Sequence, residues 1–194
     1  MPVAQSKFAR RDLPHYSPND APYFITFNLE GCIPRQKLEE LRQGKGKFID
    51  FDRLLDWSES GIHWLRDPQL ARIVYDKLLW LKGEAHALHA FTVMSNHVHL
   101  LTTLKEDQSL SSVMQLIKGS TSFQCNKLLG RRGTFWQSER YDRVLRRGEY
   151  WPVLRYILNN PVKAGVVKHW REHPWTYLNE ELHPDFDMRE DSAG

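Results

Sequence analysis

The pattern of apolar and polar positions divides the chain into short strands and longer amphipathic helices. Residues 22–29, PYFITFNL, are aromatic and β-branched over a strand's length and predict a first strand. Asp67-Pro68 then opens an amphipathic helix, with Leu70, Ile73, Val74, Leu78 and Leu81 at helical spacing and Gly83 as its expected stop. Apolar runs at 85–93 and 97–104 flank Met94-Ser95-Asn96, which predicts two strands joined by a tight turn. Ser109 is a candidate N-cap for a second helix reaching to about Leu129, with Leu110, Val113, Met114, Ile117, Phe123 and Leu128 on its apolar side. Residues 139–146, ERYDRVLR, read as a fourth strand with a charged edge. A third helix from Glu149 carries Leu154, Tyr156, Ile157 and Asn160 and is expected to stop at Pro161. This order of strands and helices predicts an α+β fold, a ferredoxin-like sandwich in which helices pack on an antiparallel sheet.

The remaining segments look peripheral. Residues 1–21, with Lys7, Arg10 and Arg11 among Pro and polar residues, read as a flexible basic arm. Residues 30–66 read as an inserted helical segment, with helices over 35–43 and 50–65 separated by Gly44 and Gly46. Residues 22–178 then form the folded domain, and the acidic tail 179–194 is expected to fray, with four acids after His183.

Composition narrows the class. A chain of 194 residues with 41% hydrophobic positions suits one domain with a core, and no apolar run approaches the ~18 residues of a membrane span. A soluble, cytoplasmic protein with no membrane partner is the expectation. Cys32 and Cys125 are too few and too scattered for a disulfide framework or a cysteine metal site. The net charge of +3 hides an asymmetry: residues 118–171 hold twelve Lys or Arg against three acids, which is +9 there and −6 elsewhere. That distribution points to a polyanionic partner for the second half of the chain, although an ordinary solvated basic face has the same composition.

Two groups of residues carry candidate chemistry. His97 and His99 are two apart on a predicted strand, so both imidazoles point to one face and can meet at one ion. Spacing alone does not separate a ligand pair from an incidental one in a chain with nine histidines. His86 and His89, three apart on the preceding strand, fall on opposite faces and read as structural. Tyr156 and Asn160 are four apart on the third helix and share a face. A phenol is a weak nucleophile unless a cation or base favours the phenolate, and Arg155 and Lys163 are near in sequence. Both residues also have ordinary readings, Tyr156 as a half-buried packing residue and Asn160 as a helix terminator before proline.

Five strings in order, VMSNHVHLL (93–101), SLSSVMQLIKGSTS (109–122), GTFWQSERYDRVLR (133–146), YILNNPVKAGVV (156–167) and HPWTY (173–177), resemble the REP-associated tyrosine transposases, a branch of the single-tyrosine HUH transposase superfamily. The resemblance runs roughly from residue 85 to 178. It implies a bacterial, nucleoid-associated single-tyrosine transposase domain over 22–178. In such a domain His97, His99 and Asn160 are ligands of Mg²⁺ or Mn²⁺ and Tyr156 is the nucleophile. Tyr156 is then expected to attack single-stranded DNA beside a palindromic REP-like hairpin, giving a 5′-phosphotyrosine and a free 3′-hydroxyl. Tyr141 is the competing nucleophile, and Ser95 stands where many relatives have proline. On this reading Lys118, Lys127, Arg131, Arg132, Arg143, Arg146, Arg155 and Lys163 contact DNA phosphates, and Trp136 is either a stacking platform for bases or a core anchor. A monomer and a homodimer are both compatible. The alternatives are a catalytically silent nucleic-acid-binding module of the same fold and a metal-dependent hydrolase that activates water.

Overall fold

The computed structural model describes residues 7–8, 21–33, 61–85, 87–184 and 186. Among these, the strands are β1 (Lys7–Phe8), β2 (Tyr23–Asn28), β3 (Ala87–Val93), β4 (His97–Thr103), β5 (Tyr141–Val144) and β6 (Thr176–Leu178). The helices are α1 (Pro68–Leu79), α2 (Leu81–Glu84), α3 (Leu110–Leu128) and α4 (Tyr150–Lys163), with 3₁₀ turns at Trp64–Arg66 and Trp170–Glu172. The strands form one sheet in the order β1-β5-β2-β4-β3-β6, every neighbouring pair antiparallel. From β2 to β5 the succession is the β-α-β-β-α-β of a ferredoxin-like sandwich, and α4 is added after it.

Every residue of β2 and of β4 is buried, which requires cover on both faces of the sheet. One face packs on α1 and α3. There Tyr75 of α1 meets Phe91 edge-on at 5.1 Å. Trp136 packs on Phe27 at 4.8 Å, and its indole N–H donates to Thr121 of α3 over 2.8 Å. The other face packs on α4, whose Tyr156 ring stands edge-on to Phe24 at 5.9 Å. Side-chain alternation along β2 and β4 thus sends Phe27, Val98 and Leu100 toward α1 and α3, and Phe24, His97 and His99 toward α4.

The helix starts follow local chemistry. Asp67 caps α1 by accepting the Gln69 amide over 2.8 Å, with Pro68 in the first turn. Ser109 caps α3 through the Ser112 amide.

Several boundaries differ from the sequence expectation. Gly83 does not stop α1, which ends at Leu79; the chain turns at Trp80 and Gly83 lies inside α2 without a positive φ. Pro161 does not stop α4. The helix runs on to Lys163, closed by Ala164 and a left-handed Gly165, so the proline forfeits one backbone bond while the turn around it survives. In α3, Phe123 lies about 120° around the helix from Ile117 at about 3.6 residues per turn, and Leu128 closes the last turn. Both were expected on the apolar side and both are exposed.

The ends and the insertion also depart from expectation. Within the predicted arm, Lys7–Phe8 pairs with β5 at the edge of the sheet, and the rest of 1–21 lies outside the described residues apart from Ala21. The helix predicted over 35–43 and most of that over 50–65 also lie outside them; residues 61–66 form an irregular segment with one 3₁₀ turn. The tail does not fray at His183. Asn179 binds both carbonyls at a bulge in β3, its backbone N–H reaching His89 and its side chain Leu88. The Tyr150 hydroxyl then lies 2.8 Å from both His89 Nδ1 and His183 Nε2, and His89 Nε2 is 2.9 Å from Thr103 Oγ1. No described helix is long and apolar enough to cross a membrane.

Replacing the buried Trp136 with alanine removes both its ring packing and its bond to Thr121, so Trp136→Ala should cost about 3–5 kcal/mol in urea unfolding. A second expectation concerns pH. Burial pushes His173 down to about 4, so the unfolded chain binds a proton there first as the solution is acidified. The stability held by neutral His173 is full above the unfolded value and is lost as pH falls toward the folded one. The domain should be about 1–2 kcal/mol less stable at pH 5 than at pH 7 on this account, and His173→Asn should flatten that slope.

Candidate active site

The face of the sheet under α4 collects the residues with candidate chemistry. In the register of β2 on β4, Thr26 lies opposite His99 and Asn28 opposite His97. His97 and His99 are buried, at 1% and 0% exposure, and their Nε2 atoms approach to 3.1 Å. The other ring nitrogen of each is held from behind. Asn96 Oδ1 sits 2.7 Å from His97 Nδ1 and accepts its proton, which leaves a lone pair on Nε2. Thr26 Oγ1 is 2.7 Å from His99 Nδ1 and can accept in the same way, directing both Nε2 lone pairs at one point.

Asn160 closes this point from above. Its side-chain Nδ2 lies 3.2 Å from His99 Nε2. Its Oδ1 is buried and has no hydrogen-bond partner among the described residues. A half-turn of the amide exchanges the two atoms and presents the oxygen to the imidazoles. Two imidazole nitrogens and an amide oxygen suit a Mg²⁺ or Mn²⁺ ion. An octahedral ion with bonds of about 2.1 Å needs adjacent donors about 3.0 Å apart, close to the observed separations. Among the described residues no three His, Cys, Asp or Glu side chains converge anywhere, and the further polar group beside the two imidazoles is the amide of Asn160.

Tyr156 lies one turn before Asn160 on the same side of α4. Its half-buried ring stands edge-on to His99 at 5.3 Å, and the Lys163 ammonium lies 5.5 Å from the ring centroid. Residues 156, 160 and 163 form one helical stripe: the phenol ring and the amide lie against the histidines, and the exposed Lys163 ammonium lies beside the phenol ring. Tyr141, the competitor, begins β5 opposite Thr26 and points to the same face, but only 3% of it is exposed. The Tyr156 hydroxyl oxygen is buried as well, so burial alone does not separate the two phenols; what sets Tyr156 apart is its place on α4 with Asn160 and Lys163.

The predicted DNA-contacting residues separate into three groups. Arg143 joins the tyrosine face, 5.9 Å from the Phe24 ring and ion-paired with Glu149. Burial works against the Glu149 carboxylate, but the Arg146 amide and the Arg143 side chain, together with both guanidinium charges, outweigh it and hold its pKa below the usual range. Arg146 and Lys163 are exposed, while Arg155 is half-buried with its guanidinium 6.0 Å from the Phe186 ring.

Lys127 and Arg132 are exposed at the far end of α3, and Arg131 lies 4.2 Å over Trp64 while bonding Asn126 and Thr134. Two residues are corrected. Lys118 is turned inward: its ammonium donates to the Gln137 carbonyl over 2.8 Å, and burial with the nearby Arg140 charge brings its pKa down to about 8. Trp136 is 3% exposed and bonded to Thr121, so it is a core anchor with no ring face to offer a base.

Sequence reasoning missed Thr26, Asn96 and Phe24. Asn96 carried a signal, since it adjoins His97 in the turn before the strand. Thr26 and Phe24 carried none, because their place depends on the register between strands 73 residues apart.

The fold is similar to that of a REP-associated tyrosine transposase bound to a REP hairpin. That chain is 20% identical, with a TM-score of 0.61 over 95% of this chain and 92% of that one. A candidate transposase from Deinococcus radiodurans R1 is 14% identical, with a TM-score of 0.42 over 77% of this chain and 97% of that one. None of the curated proteins compared with the chain matches it. The family model described as "Transposase IS200 like" matches residues 73–160, a span that holds His97, His99, Tyr156 and, at its last position, Asn160. Over that span the chain is similar to the IS200-like transposases.

Proposed function

We propose that the protein cuts and rejoins single-stranded DNA beside hairpins, with Tyr156 as nucleophile and His97, His99 and Asn160 as the ligands of a Mg²⁺ or Mn²⁺ ion. The observation that carries this reading is the meeting of the His97 and His99 Nε2 atoms at 3.1 Å with the side-chain amide of Asn160, whose nitrogen is 3.2 Å from His99 and whose oxygen a half-turn would present, beside the half-buried Tyr156. Bound there, the cation supplies Lewis-acid polarisation of a phosphate oxygen.

The chain's own residues account for the rest. Tyr156 loses its phenolic proton and attacks phosphorus; the bond to the 3′ oxygen breaks, and that oxygen leaves as a 3′-hydroxyl once protonated. The product is a 5′-phosphotyrosine that keeps the energy of the cleaved ester, so a 3′-hydroxyl can reverse the step and join strands without a nucleotide cofactor. The Lys163 ammonium lies 5.5 Å from the Tyr156 ring centroid, which puts a cation on the same side of α4 as the attacking group. Asn96 and Thr26 keep both imidazoles aimed at the donor point. Arg143, fixed by Glu149 at the edge of this face, is placed to meet a neighbouring phosphate. Support for REP-like hairpins as substrate comes from the similar structure, which is bound to one, and from the +9 charge of residues 118–171.

With Mn²⁺ and a hairpin oligonucleotide carrying a single-stranded flank, the protein should form a covalent DNA adduct that survives SDS. Tyr156→Phe and added EDTA should each abolish it, while Tyr141→Phe should leave it in place. Free 5′-phosphate ends with no adduct would establish water as the nucleophile instead, and intact DNA under all metal conditions would reduce the protein to a binding module. His97→Ala and Asn160→Ala should each lower the cleavage rate by about a hundredfold, with hairpin affinity in EDTA unchanged in gel shifts.

A further inference from the structure

We infer that the outward side of α3 is a DNA-docking surface, separate from the tyrosine face and on the opposite side of the sheet. The inference rests on the reading of the protein as a DNA-processing enzyme and says where else the DNA is held.

Ser112, Leu116, Gly119, Phe123 and Lys127 recur every three or four positions along α3, and every one is exposed. Phe123 is the most exposed large apolar side chain among the described residues, at 72%, and Leu116 is at 48%. Burying such residues against the sheet would have been favourable, yet the helix turns them to solvent while Ile117, Thr121 and Cys125 fill the core.

Gly119 sharpens the point. A glycine inside a helix destabilises it relative to alanine, and a Cβ added at Gly119 would meet nothing within 4 Å. The protein's own packing therefore gives no reason for the missing side chain. A close approach by an external surface does.

The charge around the stripe selects the partner. From 108 to 138 there is no Asp or Glu, while Lys127, Arg131 and Arg132 cluster where the helix ends. A second copy docked on this face would bring like charges together, whereas a phosphate backbone is complementary. An exposed phenyl ring beside such cations is a platform for an unpaired base, the role that the buried Trp136 has no room to play.

The test measures fluorescence anisotropy of a labelled hairpin oligonucleotide with a single-stranded flank, in EDTA, on the full chain. Phe123→Ala should weaken binding about tenfold, and Gly119→Leu, which blocks the approach, by a similar factor. Gly119→Leu is the decisive variant, because leucine favours the helix and its Cβ would meet nothing within 4 Å: its melting temperature should hold or rise while affinity falls. Wild-type affinity in both variants overturns the inference, whatever the state of catalysis. So does sedimentation showing a DNA-free homodimer that both variants dissolve, since the stripe would then be a protein interface. Tyr156→Phe, run alongside, should bind as wild type, so that loss of cleavage in that variant alone speaks only to the catalytic reading.

Discussion

Strand β4 is hydrogen-bonded to β2 on one side and to β3 on the other, and this double pairing sets where both imidazoles of the candidate site stand. Because side chains alternate along a strand, a slip of one residue would turn His97 and His99 toward α1 and α3 and bring Val98 and Leu100 under α4. Such a slip would bury two imidazoles against an apolar layer and is resisted by the whole core. Thr26 reaches His99 only in the observed register, with the two paired directly across the strands. The packing that stabilises the fold and the aim of the two histidines are therefore one constraint.

Helix α4 provides the other half of the site and has its own discipline. Tyr156 and Asn160 act from one helical turn, so any rotation of α4 moves the phenol and the amide together. Pro161 stands immediately after Asn160, where a helix stop would have left the amide on a loop. Continuation to Lys163 keeps Asn160 within the rigid part of the helix and adds a cation on the same side. On the proposed metal reading, rigidity matters because a ligand set that wanders by an ångström no longer matches one ion.

The strands, the helices and the sandwich itself were legible in the periodicity, since burial on two faces writes apolar runs at β2, β3 and β4. The pairing of His97 with His99 was legible for the same reason, as strand alternation is a local rule. What local rules leave out is partnership across the chain. Nothing around Thr26 or Phe24 announces a histidine, and nothing near Trp136 distinguishes a base platform from the anchor bonded to Thr121. Gly83 and Pro161 misled for a related reason: both are breakers by intrinsic preference, and tertiary packing overrode that preference. Lys118 looked like its basic neighbours until the backbone carbonyls of 137 and 139 placed it inside.

The hydroxyl of Tyr150 joins three distant parts of the chain. His89 comes from a bulge in β3, Tyr150 is the first residue of α4, and His183 belongs to the segment after β6. The polypeptide beyond residue 178 thereby braces the base of the helix that carries Tyr156. A shortened version ending with β6 would keep every residue of the candidate site and still alter how firmly that helix is seated. The mechanical boundary of the domain thus falls later in the chain than its last strand.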